Sequence, residues 1–177
     1  MTSLQLENSE IIVGVDFTNN VRVNDILSQE NGSSFLLYPG KESFNLSTNQ
    51  SADINALLGN NAKLFILDGT WPCARKMLKL SKNLQQLKRV SFDNTITSKF
   101  LFKQQPKPNC LSTIESVYTV LNLLNQSKLE HCNTRDFLLP FEEMIVQQVE
   151  YLEDSTRNLL PKNKYKNCVS RNIVFEL

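Results

Sequence analysis

Short apolar runs alternate with stretches of helical period along most of the chain. Glu10-Ile11-Ile12-Val13-Gly14-Val15 is rich in β-branched residues and reads as a strand. Ser34-Phe35-Leu36-Leu37-Tyr38 runs into Pro39-Gly40 and reads as a buried strand stopped by a turn. Lys63-Leu64-Phe65-Ile66-Leu67, ending at Asp68-Gly69, is a third run, and residues 89–92 and 99–102 are shorter candidates. Strands that are apolar almost without interruption belong to sheets covered on both faces, so the pattern predicts an α/β fold. One helix is predicted over residues 72–87, with Met77, Ser81, Leu84 and Leu87 on one face. Lys76, Lys79, Lys82 and Lys88 lie on or beside the opposite face. Ile114, Val117, Tyr118, Leu121 and Leu124 predict a second helix, opened by a capping box in Ser112-Thr113-Ile114-Glu115. A third helix gathers Phe137, Phe141, Met144, Ile145, Val149 and Leu152 behind a cap-like Thr134. Residues 158–170 show no amphipathic period, so a domain over residues 1–157 followed by a basic tail at 158–177 is expected.

Charge changes this picture more than composition does. With 177 residues, 41% of them hydrophobic, the chain can bury a core as one domain. No apolar run approaches the ~18–20 residues of a membrane helix, and the N-terminus lacks a secretory pattern. Net charge is only +1, yet residues 63–107 carry ten basic groups against Asp68 and Asp93. That segment is flanked by an acidic excess over 1–62 and again over 128–157, so polyanion binding joins the hypotheses beside a plainly solvated lysine face. Cys73, Cys110, Cys132 and Cys168 form no CxxC pair, and His131 is the sole histidine. Free thiols in a reducing cytosol are therefore expected, with no metal held by this chain and a cytoplasmic location.

Chemistry concentrates at three strand ends: Leu36 to Gly40, Leu67 to Pro72, and Gln105 to Glu115. In an open α/β sheet, ligands bind at the carboxyl ends of strands, where helix N-termini offer unpaired N–H groups. Each residue also has a plainer reading. Asp68-Gly69 makes a turn, Thr70 and Ser112 cap helices, and Trp71 fills a core. GxGxxG and GxxxxGK[ST] are absent, and a lone histidine gives little support to a Ser-His-Asp triad.

Taken together, the blocks are more specific. Asp68-x-Thr70-Trp71 followed by Ala74-Arg75-Lys76-Met77, then Gln105-Pro106 and Leu111-Ser112-Thr113-Ile114-Glu115, resembles the DTW-domain family of tRNA-uridine aminocarboxypropyltransferases. Glu10 to Phe17 and Leu36 to Gly40 resemble the family's strand before "DF" and its "LYPG" turn, so the likeness runs from about Leu4 to about Tyr151. Two departures stand out. The family's usual cysteine-rich N-terminal segment and its His-Pro-x-Glu strand are not in this sequence, which implies a start inside the family domain. Phe100 and Lys103 stand where the family tends to have tyrosine and arginine, and a lysine lacks the bidentate fork that arginine offers to phosphate.

The resemblance implies a SPOUT-like, mostly parallel sheet with helices on both faces and a knot near the cofactor site. It implies S-adenosylmethionine as donor, tRNA as partner, and transfer of the 3-amino-3-carboxypropyl group to uridine N3 with release of methylthioadenosine. Asp68 would act on the N3 proton. Leu37, Tyr38, Pro39, Gly40, Thr70, Trp71, Leu111, Ser112, Thr113 and Glu115 would form the donor site. Arg75, Lys76, Lys79 and Lys103 would meet RNA phosphates. The alternatives are a SPOUT-like RNA methyltransferase and a non-catalytic RNA-binding remnant.

Overall fold

The computed structural model describes residues 2–59, 61–94, 97–100, 110–154 and 171–176. Its centre is β4 (Lys63–Asp68), in which every residue from Lys63 to Leu67 is buried. Leu64 and Ile66 join one core cluster while Phe65 and Leu67 join another, as the twofold period of a strand requires. β2 (Ser34–Leu37) pairs with β4 in parallel and divides in the same way, Phe35 to the first cluster and Leu36 to the second. The sheet is therefore covered on both faces. α2 (Ser51–Leu58), α5 (Thr113–Gln126) and Phe141 of α6 (Leu139–Asp154) supply one layer. α1 (Val21–Ser28), α3 (Trp71–Leu80) and α4 (Lys82–Gln85) supply the other.

Strand order is β1-β6-β4-β2-β5-β3, with β1 at Ser9–Val13, β3 at Phe44–Asn45, β5 at Lys88–Ser91 and β6 at Arg171–Glu176. β4, β2, β5 and β3 run parallel, whereas β6 is antiparallel to both β1 and β4. The expected α/β architecture, mostly parallel with helices on both faces, is what the chain forms.

Three local expectations need correction. Arg171–Glu176, expected within a basic tail, is a strand in the sheet interior, and its Val174 is buried in the second cluster. The helix expected over 72–87 is two, divided at Ser81, which is buried and accepts a hydrogen bond from the Phe17 N–H at 3.0 Å. Thr18 stitches the same break, its hydroxyl donating to Leu80 O and accepting from Lys82 N, each at 3.0 Å. The chain near Phe17 thus takes up groups that a continuous helix would have paired within itself. Lys99 and Phe100 lie in no strand, while Leu101, Phe102 and the segment from Leu159 to Lys166 fall outside the described residues. Among the described residues, no helix is long and apolar enough to cross a membrane.

Candidate active site

The parallel strands deliver their carboxyl ends to one edge of the sheet. β4 delivers Asp68, half-buried, because the four residues before it are locked in the core. Gly69 lets the chain turn tightly there: an added Cβ would meet Cys73 Cβ at 3.3 Å and Met77 Cε at 3.5 Å. Thr70 then caps α3, its hydroxyl accepting from the Cys73 N–H at 3.4 Å, and Pro72 sits in the first turn where a missing N–H costs nothing. Cys73 is disulfide-bonded, which corrects the expectation of four free thiols; Cys110 and Cys132 are free.

The second arrival is α5. Thr113, its first residue, donates a hydrogen bond from Oγ1 to Asp68 Oδ1 at 2.7 Å, joining turns 45 residues apart. Among the described residues no hydrogen bond reaches Asp68 Oδ2, so this oxygen keeps its acceptor capacity.

Glu115 holds this junction in place and is only 7% exposed. Its Oε2 accepts from Ser98 Oγ at 2.7 Å, from the Ser112 N–H at 2.8 Å, and from the Ser112 hydroxyl. Its Oε1 accepts from the Lys99 N–H at 2.8 Å. Burial by itself raises the Glu115 carboxyl. The hydrogen bonds from Ser112, Ser98 and Lys99 together outweigh that and hold its pKa below the ordinary carboxylate value. Both oxygens are committed to the protein, so Glu115 clamps the 98–100 segment to the start of α5.

Tyr38 arrives from β2. The pairing of Leu36 with Phe65 sets it level with Leu67, and its N–H donates to Val90 O at 3.0 Å. Its ring meets Trp71 edge-on, with centroids 6.2 Å apart and planes at 62°. Arg89 lies over the same ring, Cζ 5.7 Å from the centroid. Leu37, one residue earlier, turns instead to the first core cluster, and Pro39 and Gly40 are exposed.

Of the residues expected here, the structure brings Asp68, Thr113, Ser112, Trp71 and Tyr38 to one edge, with Thr70 used as a cap. Leu111 is half-buried beside them in sequence. Arg75, Lys76 and Lys79 are exposed along α3, opposite its buried Ala74, Met77 and Leu78. Lys103 lies outside the described residues. Sequence reasoning missed Arg89 and Ser98. The signal for Arg89 was the alternation of β5, which pairs it with Leu36 and so puts it on Tyr38's side of the sheet.

Residues 1–149 match the family model described as the DTW domain. The chain is 27% identical over 179 residues to the tRNA-uridine aminocarboxypropyltransferase 2 of Drosophila melanogaster, covering 98% of this chain and 68% of that protein. It is 24% identical over 145 residues to the protein of the same name from Macaca fascicularis, covering 78% of this chain and 45% of the relative. For Mus musculus the identity is 24% over 121 residues, covering 67% and 37%. The chain thus spans less than half the length of these two mammalian relatives. No solved structure matches it.

Proposed function

The chain belongs to the DTW domain family, and from that premise we propose that it is a tRNA-uridine aminocarboxypropyltransferase. S-adenosylmethionine is the donor in this reading. The sulfonium activates three carbons, so the protein's task is to choose which of them faces the nucleophile. With the methionyl Cγ facing uridine N3, the N3–C bond forms as the C–S bond breaks. The sulfonium takes the bonding pair and leaves as neutral methylthioadenosine. The N3 proton passes to Asp68, acting as general base.

The observation that carries this reading is the 2.7 Å bond from Thr113 to Asp68. It joins the Asp68 turn to the N-terminus of α5, and it leaves Oδ2 of a half-buried carboxylate open at the same edge. The residues fit the donor's chemistry. The first N–H groups of α5 suit a carboxylate, because a helix N-terminus attracts anions. Tyr38 and Trp71 offer apolar faces for adenine or uracil. Arg75, Lys76 and Lys79 follow on the exposed side of the helix that Trp71 opens, placed to meet tRNA phosphates. A SPOUT-like arrangement, with a knot near the donor site, belongs to the same proposal, and the doubly covered, mostly parallel sheet supports it.

The test is the nucleoside released from the donor when the chain is incubated with tRNA and S-adenosylmethionine. Methylthioadenosine is the expected product. S-adenosylhomocysteine would mean methyl transfer, and tRNA binding with neither product would mean a non-catalytic RNA-binding protein.

A further inference from the structure

Arg89, which lies over the Tyr38 ring, also lines an open hollow of about 690 Å³ that none of the residues expected at the site from sequence lines. Phe44, Leu57 and Leu87 contribute apolar lining, and its charged residues are Lys41, Lys88 and Arg89 against Glu42, with the alternation of β5 bringing Lys88 and Arg89 to this sheet edge from opposite faces. The hollow exists because β3 is only two residues long. It pairs with Val90 and Ser91 and leaves Lys88 and Arg89 without a strand on that side. Among the described residues none of the three cations forms an ion pair. Arg89 instead rests on the Tyr38 ring. Gly40 permits that approach, since a Cβ there would meet Arg89 Nη1 at 3.2 Å.

A guanidinium held over a ring face by cation–π attraction keeps N–H donors free, and its fork can take phosphate oxygens in pairs. A concave wall with three unpaired cations concentrates an anion more than a convex lysine face does. The hollow reaches the candidate active site through one shared residue, since Arg89 touches both its lining and Tyr38. We propose that this hollow is a backbone-phosphate subsite for the RNA strand bearing the target nucleotide, with Lys41, Lys88 and Arg89 as its ligands. Arg89 couples strand position to the Tyr38 wall. This inference rests on the reading that the chain acts on tRNA.

The test is a titration of tRNA by fluorescence anisotropy over a series of potassium chloride concentrations. It compares the wild-type chain, K41Q/K88Q, and the single-charge control R135Q in the acidic segment. Each lost contact to single-stranded RNA lowers the slope of log affinity against log salt by about 0.7. K41Q/K88Q is therefore expected to lose about 1.4 from the slope, with R135Q unchanged. A double variant with the wild-type slope overturns the subsite while the proposed transfer stands on its own product analysis. A wild-type chain that binds no tRNA overturns both.

Discussion

Glu115→Gln tests whether one carboxylate holds the active-site edge together. Glu115 accepts four hydrogen bonds, three at Oε2 and one at Oε1, while being 7% exposed. An amide fills the same space with only one acceptor oxygen. With that oxygen in the Oε2 position, the Ser112 N–H keeps its partner but the new NH₂ faces the Lys99 N–H. A buried donor left without an acceptor costs about 1–3 kcal/mol. The three surviving bonds change from charge-assisted to neutral, and hydroxyl rotation recovers part of that loss. The sum is about 2–4 kcal/mol, a large share of the ~5–15 kcal/mol of an ordinary domain. In urea unfolding, with a slope of about 1–3 kcal/mol per molar, the midpoint should fall by roughly 1–2 M at pH 7. The pH dependence has a fixed sign. The folded-state pKa is depressed, so the contribution is complete above the unfolded value of ~4.3 and fades as pH falls through the folded one. The gap between wild type and variant should therefore close in that acid window. A difference under about 0.5 kcal/mol at pH 7, or one that stays constant into acid, would refute the clamp.

Asp68→Asn keeps an oxygen for the Thr113 hydroxyl, so stability should change by less than about 1 kcal/mol. Transfer should fall by about 10²–10⁴, the usual contribution of a general base, measured as methylthioadenosine released per minute. Thr70→Ala removes the α3 cap and should cost about 1 kcal/mol in urea unfolding, with Thr70→Ser restoring it. R75Q/K76Q/K79Q should weaken tRNA binding in a salt-dependent way and lower the salt slope by about 2, leaving the identity of the released nucleoside unchanged.

Runs such as Lys63 to Leu67 were legible because burial on both faces demands an unbroken apolar strand. The start of α5 was legible for another reason: Ser112 and Glu115 carry their capping signal within four residues. α1 and α2 were not, since each is eight residues long and buries only two side chains, too few to set a period. β6 was missed because its apolar run, Ile173-Val174-Phe175, is only three residues long, follows a stretch without period, and finds its partners β1 and β4 far away in sequence. Ser81 keeps the helical period across a real break, because the competing bond comes from Phe17, 64 residues away. The Cys73 disulfide could not be read from spacing alone. At the site, the turns at Asp68 and Ser112 were legible as a strand end and a helix start expected to share one cleft, but the bond that joins them was not. No spacing rule says that Thr113 reaches Asp68, or that Glu115 spends both oxygens inside the protein.

The central claim is tested most directly by mass spectrometry of nucleosides from tRNA incubated with S-adenosylmethionine and this chain, wild type beside Asp68→Asn. The account predicts a uridine carrying the aminocarboxypropyl group with the wild-type chain and at most a trace with the variant. Unchanged uridine in the wild-type sample, while a full-length relative modifies the same tRNA, would contradict it.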